Sequence, residues 1–221
     1  MSMDFDEAVQ RRRSVRGFKP DPVPSDVIDA CLTLAQLSPS NCNVQPWRVY
    51  LASGAARDRV REGMLTAFTE GRFEEMEHPI DSFPGDYRKR QVACAVEMYG
   101  KMGIGRDDKQ GRLSAHARNF ALFDAPHVAI VCMDRSFGLG VALDVGMWVQ
   151  TFMLALTSRG VSSCPQAALR AYSGLLQAAL AIPDNELVLC GVSFGYEDES
   201  VPVNAARQPR DPIGHNVRRR G

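Results

Sequence analysis

The sequence has no excess of charge of either sign. Its 221 residues include 26 Lys and Arg and 26 Asp and Glu, so the formal net charge is +0 at pH 7 with histidine neutral. Such a chain has no overall field to attract nucleic acid or an anionic membrane. We therefore expect no nucleic-acid partner, and any anion must be bound by a local group of basic residues.

Long apolar runs are also absent from the sequence. The N-terminal "MSMDFDEAVQRRR" has no apolar core of the kind that a signal peptide needs. The most apolar stretch, "VGMWVQTFMLALTS", contains Gln150 and Thr151 and is shorter than the roughly 18 residues of a membrane span. These features predict a protein without a membrane partner.

Paired cysteines and metal-ligand spacings are missing as well. The six cysteines include no CxxC pair, and most lie in apolar runs such as "AIVCMD", where a free thiol behaves as a small hydrophobe. The four histidines show no ligand spacing, so no metal site is expected. We predict a reduced, cytoplasmic protein.

Helical and strand-like segments alternate along the chain, which predicts one α+β domain over residues 1–221. "DFDEAVQRRR" and "SDVIDACLTLAQL" are predicted helices, the second with Ser25 as its N-cap. "WRVYLAS" predicts a strand with Trp47, Val49 and Leu51 on one buried face. "HVAIVCMD" and "ELVLCGVSFGY" are short and continuously apolar, which is typical of strands covered on both sides.

Three other regions have distinctive compositions. Residues 141–159 predict a helix that is apolar on nearly every side and hence buried in a core or against a partner subunit. Residues 70–118 are polar and glycine-rich, which predicts helices joined by surface loops and a possible lid. Residues 200–221, the C-terminal tail, have no hydrophobic period, and Pro209 and Pro212 favour an extended course.

The stretch "RRRSVRGFKP" concentrates positive charge at the end of the first predicted helix. Arg12, Arg13 and Arg16 surround Ser14, and we call these four residues the arginine cluster. Guanidinium forks and a hydroxyl suit phosphate oxygens. Arginine near a helix C-terminus is also favoured by the helix dipole alone. The local pattern therefore leaves open a phosphate site or a solvated basic turn.

Two further stretches are rich in small or amide side chains. In "SPSNCNVQPWRVY", the side chains of Ser40, Asn41, Asn43 and Gln45 are able either to cap backbone groups or to bind the edge of a flat heterocycle. In "GVSSCPQAAL", small residues would let a ligand approach the backbone, although a plain turn with Pro165 as its breaker is the local expectation.

Taken in order, these stretches resemble the nitroreductase family of flavoenzymes. "RRRSVRGF" is similar to the family's Arg-x-Ser-x-Arg/Lys motif, and "SPSNCNVQPWRVY" to its Asn-x-Gln-Pro-Trp signature. "LDVGMWVQTFMLALTSRGVSSCPQAAL" resembles the family's central helix and flavin-edge loop, and "RQPRDPIG" resembles its closing Arg-x-Pro element. "SSCPQ", "RNFALFDAPH" and "YRKRQ" are most similar to the nitrobenzoate and nitroaromatic reductase branch.

The resemblance implies a fold, a cofactor and an assembly. The fold would be α+β, with a central, mostly antiparallel sheet flanked by helices. The protein would be an FMN-dependent homodimer with each flavin site built from both subunits and the C-terminal tail extended onto the partner. The residues assigned to the flavin by resemblance are Arg12, Arg13, Ser14, Arg16, Ser40, Asn41, Asn43, Pro165, Gln166, Ala167, Arg207 and Arg210.

The resemblance also implies a reaction in which the cofactor carries the chemistry. NADH or NADPH would pass a hydride to flavin N5, and a nitroaromatic, quinone or related planar acceptor would take the electrons by ping-pong kinetics. No side chain is assigned as catalytic, and Cys164 is expected to be a packed residue. The family often has an acid and a glycine where this chain has Ala167 and Ala168, so the Gln166 amide or bare backbone would have to tune N5.

Other functions are compatible with the same motifs. Enone reduction, reductive dehalogenation and flavin destruction belong to the same family. From a different class, a protein that stores or senses FMN without turnover would need the same phosphate site. Bleaching of the flavin by NAD(P)H and its recovery with a nitroarene would distinguish the enzyme from the binder.

Overall fold

The computed structural model describes residues 3–79 and 82–221. The α-helices are α1 (Phe5–Arg11), α2 (Ser25–Ala35), α3 (Gly54–Thr69), α4 (Gly85–Lys101), α5 (Lys109–Phe120), α6 (Leu139–Thr157), α7 (Ser173–Leu180) and α8 (Ile213–Asn216). The strands are β1 (Arg48–Ser53), β2 (His127–Asp134), β3 (Ser162–Gln166) and β4 (Glu186–Gly195). Short 3-10 helices occur at Asn41–Asn43, Leu122–Asp124, Ala167–Tyr172 and Pro202–Ala205.

The four strands form one antiparallel sheet in the order β1-β2-β4-β3. The two strands predicted from continuous apolar runs, β2 and β4, occupy its centre. Seven of the eight residues of β2 are buried, because helices cover both faces of the sheet. The predicted α+β class and antiparallel sheet are confirmed.

Two apolar clusters hold the helices to the sheet. On one face, Trp148 and Phe152 of α6 pack with Ile28 of α2 and Phe194 of β4. On the other face, α3 and α7 pack against β2 and β4 through a second cluster; its members include Met64, Leu176, Ile130 and Val188. The sheet is therefore the middle layer of three, and residues that follow its strands emerge at its edges.

Two local predictions are wrong. Helix α2 begins at Ser25, and its N-cap is Pro24, which makes no side-chain capping bond. Leu51, predicted to be buried, is 41% exposed, whereas Ala52 is fully buried. Val49 packs in the first cluster and Tyr50 in the second. Because both faces of β1 are partly covered, a one-sided alternation does not describe this edge strand.

Residues 70–118 begin directly after α3 and contain α4 and most of α5, joined by loops, as the composition predicts. The first loop is fixed by Glu74, whose carboxylate accepts backbone N–H bonds from Gly174 at 2.6 Å and Leu175 at 3.1 Å. These bonds satisfy donors at the start of α7. Residues 80 and 81, part of the predicted lid, lie outside the described residues.

The C-terminal tail lies on α4 of its own chain. Asp211 forms an ion pair with Arg90 at 2.5 Å, and the Gln208 side chain donates to the Cys94 carbonyl at 3.4 Å. The Arg207 N–H donates to Glu97 at 3.4 Å. Arg90, Cys94 and Glu97 lie on one face of α4, and the tail follows that face; the expected extension onto a partner subunit stays a prediction.

Helix α6 is apolar around most of its circumference, but only part of it is buried. Trp148, Phe152 and Leu156 are buried, whereas Leu139 is 88% and Leu143 is 69% exposed. By length and composition α6 is also apolar enough to cross a membrane. One such helix is weak evidence for a membrane span, because a core helix passes the same test.

Candidate flavin site

The arginine cluster begins where α1 ends. Asp4 caps the start of the helix by accepting the Glu7 N–H at 2.9 Å, and Arg12 is the C-cap. The chain then runs beside β3, where Ser14 bridges Ser163 and the Val15 N–H donates to the Ser163 carbonyl at 3.0 Å. These bonds place the cluster directly against the segment that the resemblance assigns to the flavin edge.

The guanidinium groups of Arg12 and Arg210 are close enough for their charges to interact. Burial lowers the pKa of Arg12 below its ordinary value, and the positive charge of Arg210 lowers it further. Arg12 forms no ion pair with any residue in the described parts of the chain. Two guanidinium groups of like charge that lie near one another favour the binding of an anion.

Arg13 has a different environment from the other arginines of the cluster. Its Nη2 forms an ion pair with Glu197 at 2.5 Å, with both carboxylate oxygens in reach. Its Nη1 is buried and has no hydrogen-bond partner within the described ranges. Half of this guanidinium is therefore used by the fold, and only the other half is available to a ligand.

Arg16 is oriented by three neighbours. Its backbone N–H donates to the Asn204 side chain at 2.7 Å, and its guanidinium donates to the Ser14 carbonyl at 3.2 Å. Its carbonyl accepts from Arg118 at 3.1 Å. The next residue, Gly17, approaches Val201 so closely that a Cβ would lie 2.6 Å from that side chain. The "RG" pair thus holds the start of the tail against the cluster.

The segment "SSCPQ" is the edge strand β3 and not the turn expected from its local sequence. Pro165 is exposed, and Ala167 begins a 3-10 helix. Gln166 points inward: its amide donates to the Asn119 carbonyl at 2.8 Å and accepts from Ser193 at 2.5 Å. Both ends of the amide are used, so the backbone is what Gln166 can offer a flavin.

Ser40, Asn41 and Asn43 belong to an exposed loop, residues 40–45, which we call the amide loop. The Asn41 N–H donates to the buried Asp144 carboxylate at 3.0 Å, and the Ser40 hydroxyl accepts from the Gln45 N–H at 3.0 Å. Cys42, Asn43 and Gln45 have φ values of 48°, 57° and 48°, in the left-handed region. This conformation presents the polar groups of the loop outward from the chain.

The amide loop and the arginine cluster lie at opposite ends of α6. The loop is anchored to Asp144 near the start of the helix, whereas α1 is joined to its end by the bond from the Met3 N–H to the Ser158 carbonyl at 3.1 Å. Fourteen residues of helix span about 21 Å. The structure therefore brings together the cluster, β3 and Arg210, but not the amide loop of the same chain.

Arg207 and Cys164 are the two remaining residues considered in the sequence analysis. Arg207 is exposed, and its guanidinium donates to the carbonyls of Asn204 at 2.8 Å and Ala206 at 3.0 Å. Cys164 is 2% exposed, and burial raises its pKa to about 11. A thiol in this state is a poor nucleophile, which agrees with its expected packing role.

The donor set at the cluster fits a phosphate monoester such as the end of FMN. Arg12 is not neutralised by a carboxylate, and Arg13 Nη1 and the Ser163 hydroxyl are buried without partners among the residues described. Buried polar atoms normally have partners, so unused donors beside converging arginines indicate an anionic ligand. Pro165 is exposed and Ala167 is half-buried, which leaves room for a flat ring next to them.

Several residues that shape the site were not predicted. Glu197, Asn204, Arg118 and Asp144 each hold a predicted residue or its backbone. Only Asp144 had a visible signal, because it is the single charge within the apolar run that forms α6. The other three are separated in sequence from their partners by about a hundred residues or more. Arg118 lies in the motif "RNFALFDAPH", but nothing in that motif indicates its bond to Arg16.

Comparison with known proteins identifies the family. The protein-family model described as "Nitroreductase family" matches residues 9–196 of the sequence. The chain belongs to the nitroreductase family. A relative called nitroreductase NfnB, from Mycolicibacterium smegmatis, is 36% identical, with 98% of this chain and 94% of the relative covered. A 4-nitrobenzoate reductase from Pseudomonas putida is 34% identical, with 94% and 92% covered.

Solved structures of other family members share the whole fold. The FMN-dependent nitroreductase NfnB from Mycobacterium smegmatis, solved in complex with NADPH, matches with a TM-score of 0.93 and 37% identity over 99% of this chain and 100% of that one. An FMN- and NADPH-dependent NfnB from sphigopyxis sp. strain HMH gives a TM-score of 0.95 and 30% identity, with the same coverage. The predicted family and fold are confirmed.

Proposed function

We propose that this chain is an NAD(P)H-dependent, FMN-containing nitroreductase. The observation that carries the proposal is the convergence of Arg12 and Arg210 on a space beside β3, without a carboxylate to neutralise Arg12. Family membership and full-length relatives that are named as nitroreductases support it. The acceptor class is a small planar aromatic molecule, with nitroaromatics first and quinones as a further group.

Each part of the cofactor has residues suited to it. Arg12, Ser14 and Arg210 would hold the phosphate, with Arg207 closing from the tail and Arg13 contributing through its free Nη1. The backbone of Pro165, Gln166 and Ala167 would lie along the ring. Arg16 would place a fixed positive charge beside the pyrimidine edge, where preorganised charge is most effective.

Bound FMN would supply the transfer of two electrons, as a hydride, from NAD(P)H to the acceptor. The protein contributes orientation, charge and exclusion of water. A single open face at Pro165 would be used in turn by the donor and the acceptor, which predicts ping-pong kinetics. The helices and loops of residues 70–118 would cover this face as a lid. We also propose that residues 1–221 form a single domain that includes the flavin site and the lid. The protein would work in the cytoplasm.

The site is completed in a homodimer. Ser40, Asn41 and Asn43 of the partner subunit would reach the flavin, since those of the same chain are at the far end of α6. The exposed apolar surface supports this assembly: Leu139, Leu143 and Met147 of α6 line a groove of about 960 Å³ next to Pro39. We call it the α6 groove. Its position beside the amide loop would place that loop at the interface.

The test uses the purified protein with its bound flavin under anaerobic conditions. We expect a yellow protein that NADH or NADPH bleaches and that 4-nitrobenzoate or nitrobenzene recolours. The comparison of the two donors measures the preference for NADH or NADPH. A yellow protein that neither donor bleaches would indicate the alternative function, FMN storage or sensing.

A further inference from the structure

The backbone of Arg16 is held by two segments that are distant in sequence. Its N–H donates to the Asn204 side chain at 2.7 Å, and its carbonyl accepts from Arg118 Nη2 at 3.1 Å. The next carbonyl, that of Gly17, accepts from the Asn204 amide at 2.8 Å. Both polar groups of the Arg16 backbone are therefore fixed before any ligand binds.

The guanidinium of Arg16 keeps its charge. It forms no ion pair within residues 3–79 and 82–221, and it donates to a neutral acceptor, the Ser14 carbonyl, at 3.2 Å. A positive charge stabilises a nearby negative charge most when it is held in one place, because no free energy is then spent on orienting it. The contacts that fix Arg16 thereby determine how strongly its charge acts on a ligand.

Arg118, on α5, joins Arg16 to a carboxylate. The same Nη2 atom that donates to the Arg16 carbonyl lies 3.2 Å from Oδ2 of Asp124. The side chains of Arg118 and Asp124 are 34% and 48% exposed, so this ion pair contributes little to the stability of the fold. Its main effect is to keep the Arg118 guanidinium directed at the Arg16 carbonyl.

The turn that carries Asp124 has an unusual backbone. Its three residues, 122–124, have φ values of 56°, 53° and 67°, all in the left-handed region. Residues other than glycine adopt this conformation rarely, and they keep it where the surrounding structure enforces it, often beside functional sites. The Phe123 carbonyl also accepts the Phe18 N–H at 3.2 Å. The turn therefore holds residues 16–18 twice, directly at Phe18 and through Arg118 at Arg16.

We propose that Arg118 is a positioning residue that raises the reduction potential of the bound flavin by fixing the charge of Arg16. The inference rests on the proposed function, in which Arg16 lies beside the pyrimidine edge of FMN. Uptake of a hydride gives the neutral flavin ring one negative charge, and a fixed positive charge stabilises that form over the oxidised one. Arg118 would act through Arg16 and not by contact with the ring.

The first experiment measures the midpoint potential of the FMN-loaded protein by anaerobic reduction with dithionite against a reference dye. Arg118→Met keeps the length of the side chain but removes the donor for the Arg16 carbonyl. We expect the ratio of the affinities for reduced and oxidised FMN to fall about 10-fold, which lowers the potential by about 30 mV for a two-electron couple.

Two further variants separate positioning from the simple loss of a positive charge. Arg61 also faces Asp124, at 4.0 Å, with a side chain 36% exposed, but it is not hydrogen-bonded to Arg16 in the described parts of the chain. Arg61→Met is therefore the matched control and should leave the potential unchanged. Asp124→Asn removes a negative charge, which alone would raise the potential. Because it also releases Arg118, we expect the potential to fall instead.

Three results would each overturn the inference: an unchanged potential in Arg118→Met, an equal fall in Arg61→Met, or a rise in Asp124→Asn. Flavin content and the thermal midpoint report whether each variant is folded. If Arg118→Met does not fold, Asp124→Asn decides alone, because positioning and simple charge predict shifts of opposite sign for it.

Reduction by dithionite needs no NAD(P)H, so this inference and the proposed function can fail separately. A flavin that NAD(P)H bleaches, with the same potential in the wild type and Arg118→Met, would leave the nitroreductase function standing and remove only the role of Arg118. A flavin that neither NADH nor NADPH bleaches, with a lowered potential in Arg118→Met and Asp124→Asn, would do the reverse. A protein that binds no FMN would overturn both.

Discussion

The arginine cluster and the amide loop contribute to the same proposed site but have opposite structural settings. The cluster is held by its own chain, through β3, Glu197, Asn204 and the tail. The amide loop has one anchor to the core, Asp144, and residues 41–45 are exposed. The difference teaches that a single chain preorganises the phosphate end of the proposed site, whereas in the proposed dimer the ring end would be completed only by assembly.

The largest expected effect comes from a charge in the α6 groove. Leu143 is 69% exposed, so Leu143→Asp should fold normally but prevent a second chain from covering the groove. We expect a monomer by light scattering and an FMN affinity at least about 100-fold weaker. Val96→Asp, at a position 66% exposed on α4, is the matched control and should change neither quantity. A flavin-bound monomer would contradict the shared site.

Removing Arg12 tests the half of the site that one chain provides. Arg12→Ala should weaken FMN binding about 10- to 150-fold, because a charge-assisted contact contributes about 1.5–3 kcal/mol. The exposed Arg11, paired with Glu7 at 2.7 Å, is the control. Flavin per monomer after dialysis is the measurement, and equal content in the wild type and Arg12→Ala would make the cluster a solvated basic turn.

Arg13 should behave differently from its neighbour. Arg13→Ala leaves Glu197 without its partner in a half-buried environment, so we expect a loss of about 1–3 kcal/mol in the free energy of unfolding. Urea unfolding of the flavin-free protein measures this quantity. Arg12→Ala, measured in parallel, should be nearly neutral, and equal destabilisation by both variants would remove the distinction between the two arginines.

Replacing Asp144, which anchors the amide loop, should weaken cofactor binding by a smaller factor. Asp144→Asn keeps the size of the side chain but weakens the bond from the Asn41 N–H, so we expect FMN affinity to fall about 5- to 10-fold. Thr157→Val, on the same helix but outside the α6 groove, removes a bond to the Met153 carbonyl and should leave flavin binding unchanged. Unaltered affinity in Asp144→Asn would show that the loop does not need this anchor.

Lowering the pH should decrease the stability of the folded protein through protonation of His127 rather than through the arginines. The Nε2 atom of His127 accepts the Val23 N–H at 2.9 Å, and burial, followed by the charge of Arg57, lowers its pKa. The unfolded state therefore binds a proton more readily, and stability present above pH 6.5 is lost as the pH falls from that value through the lowered folded pKa. His127→Gln should have a flatter stability profile in urea unfolding. The same slope in both proteins would refute this assignment.

The sequence was sufficient to predict features that depend on residues close together in the chain. Continuous apolar runs located β2 and β4, and the motifs around Arg12, Asn41 and Pro165 located the family. It was insufficient where contacts join distant segments. The inward turn of the Gln166 amide depends on Asn119 and Ser193, and the course of the tail depends on Arg90. Contacts between polar or charged residues that are so far apart in the sequence produce neither a hydrophobic period nor a local motif.

Because α6 has a buried face and an exposed face, folding of the chain should precede completion of the flavin site. Trp148 and Phe152 close the core within one chain, which is a first-order process, whereas Leu139 and Leu143 are exposed and would be covered only by the second chain of the proposed dimer. In the proposed dimer, the yellow colour would therefore develop after the fold and at a rate that rises with protein concentration. Dilution during refolding would slow the appearance of the flavin site without slowing the formation of the sheet.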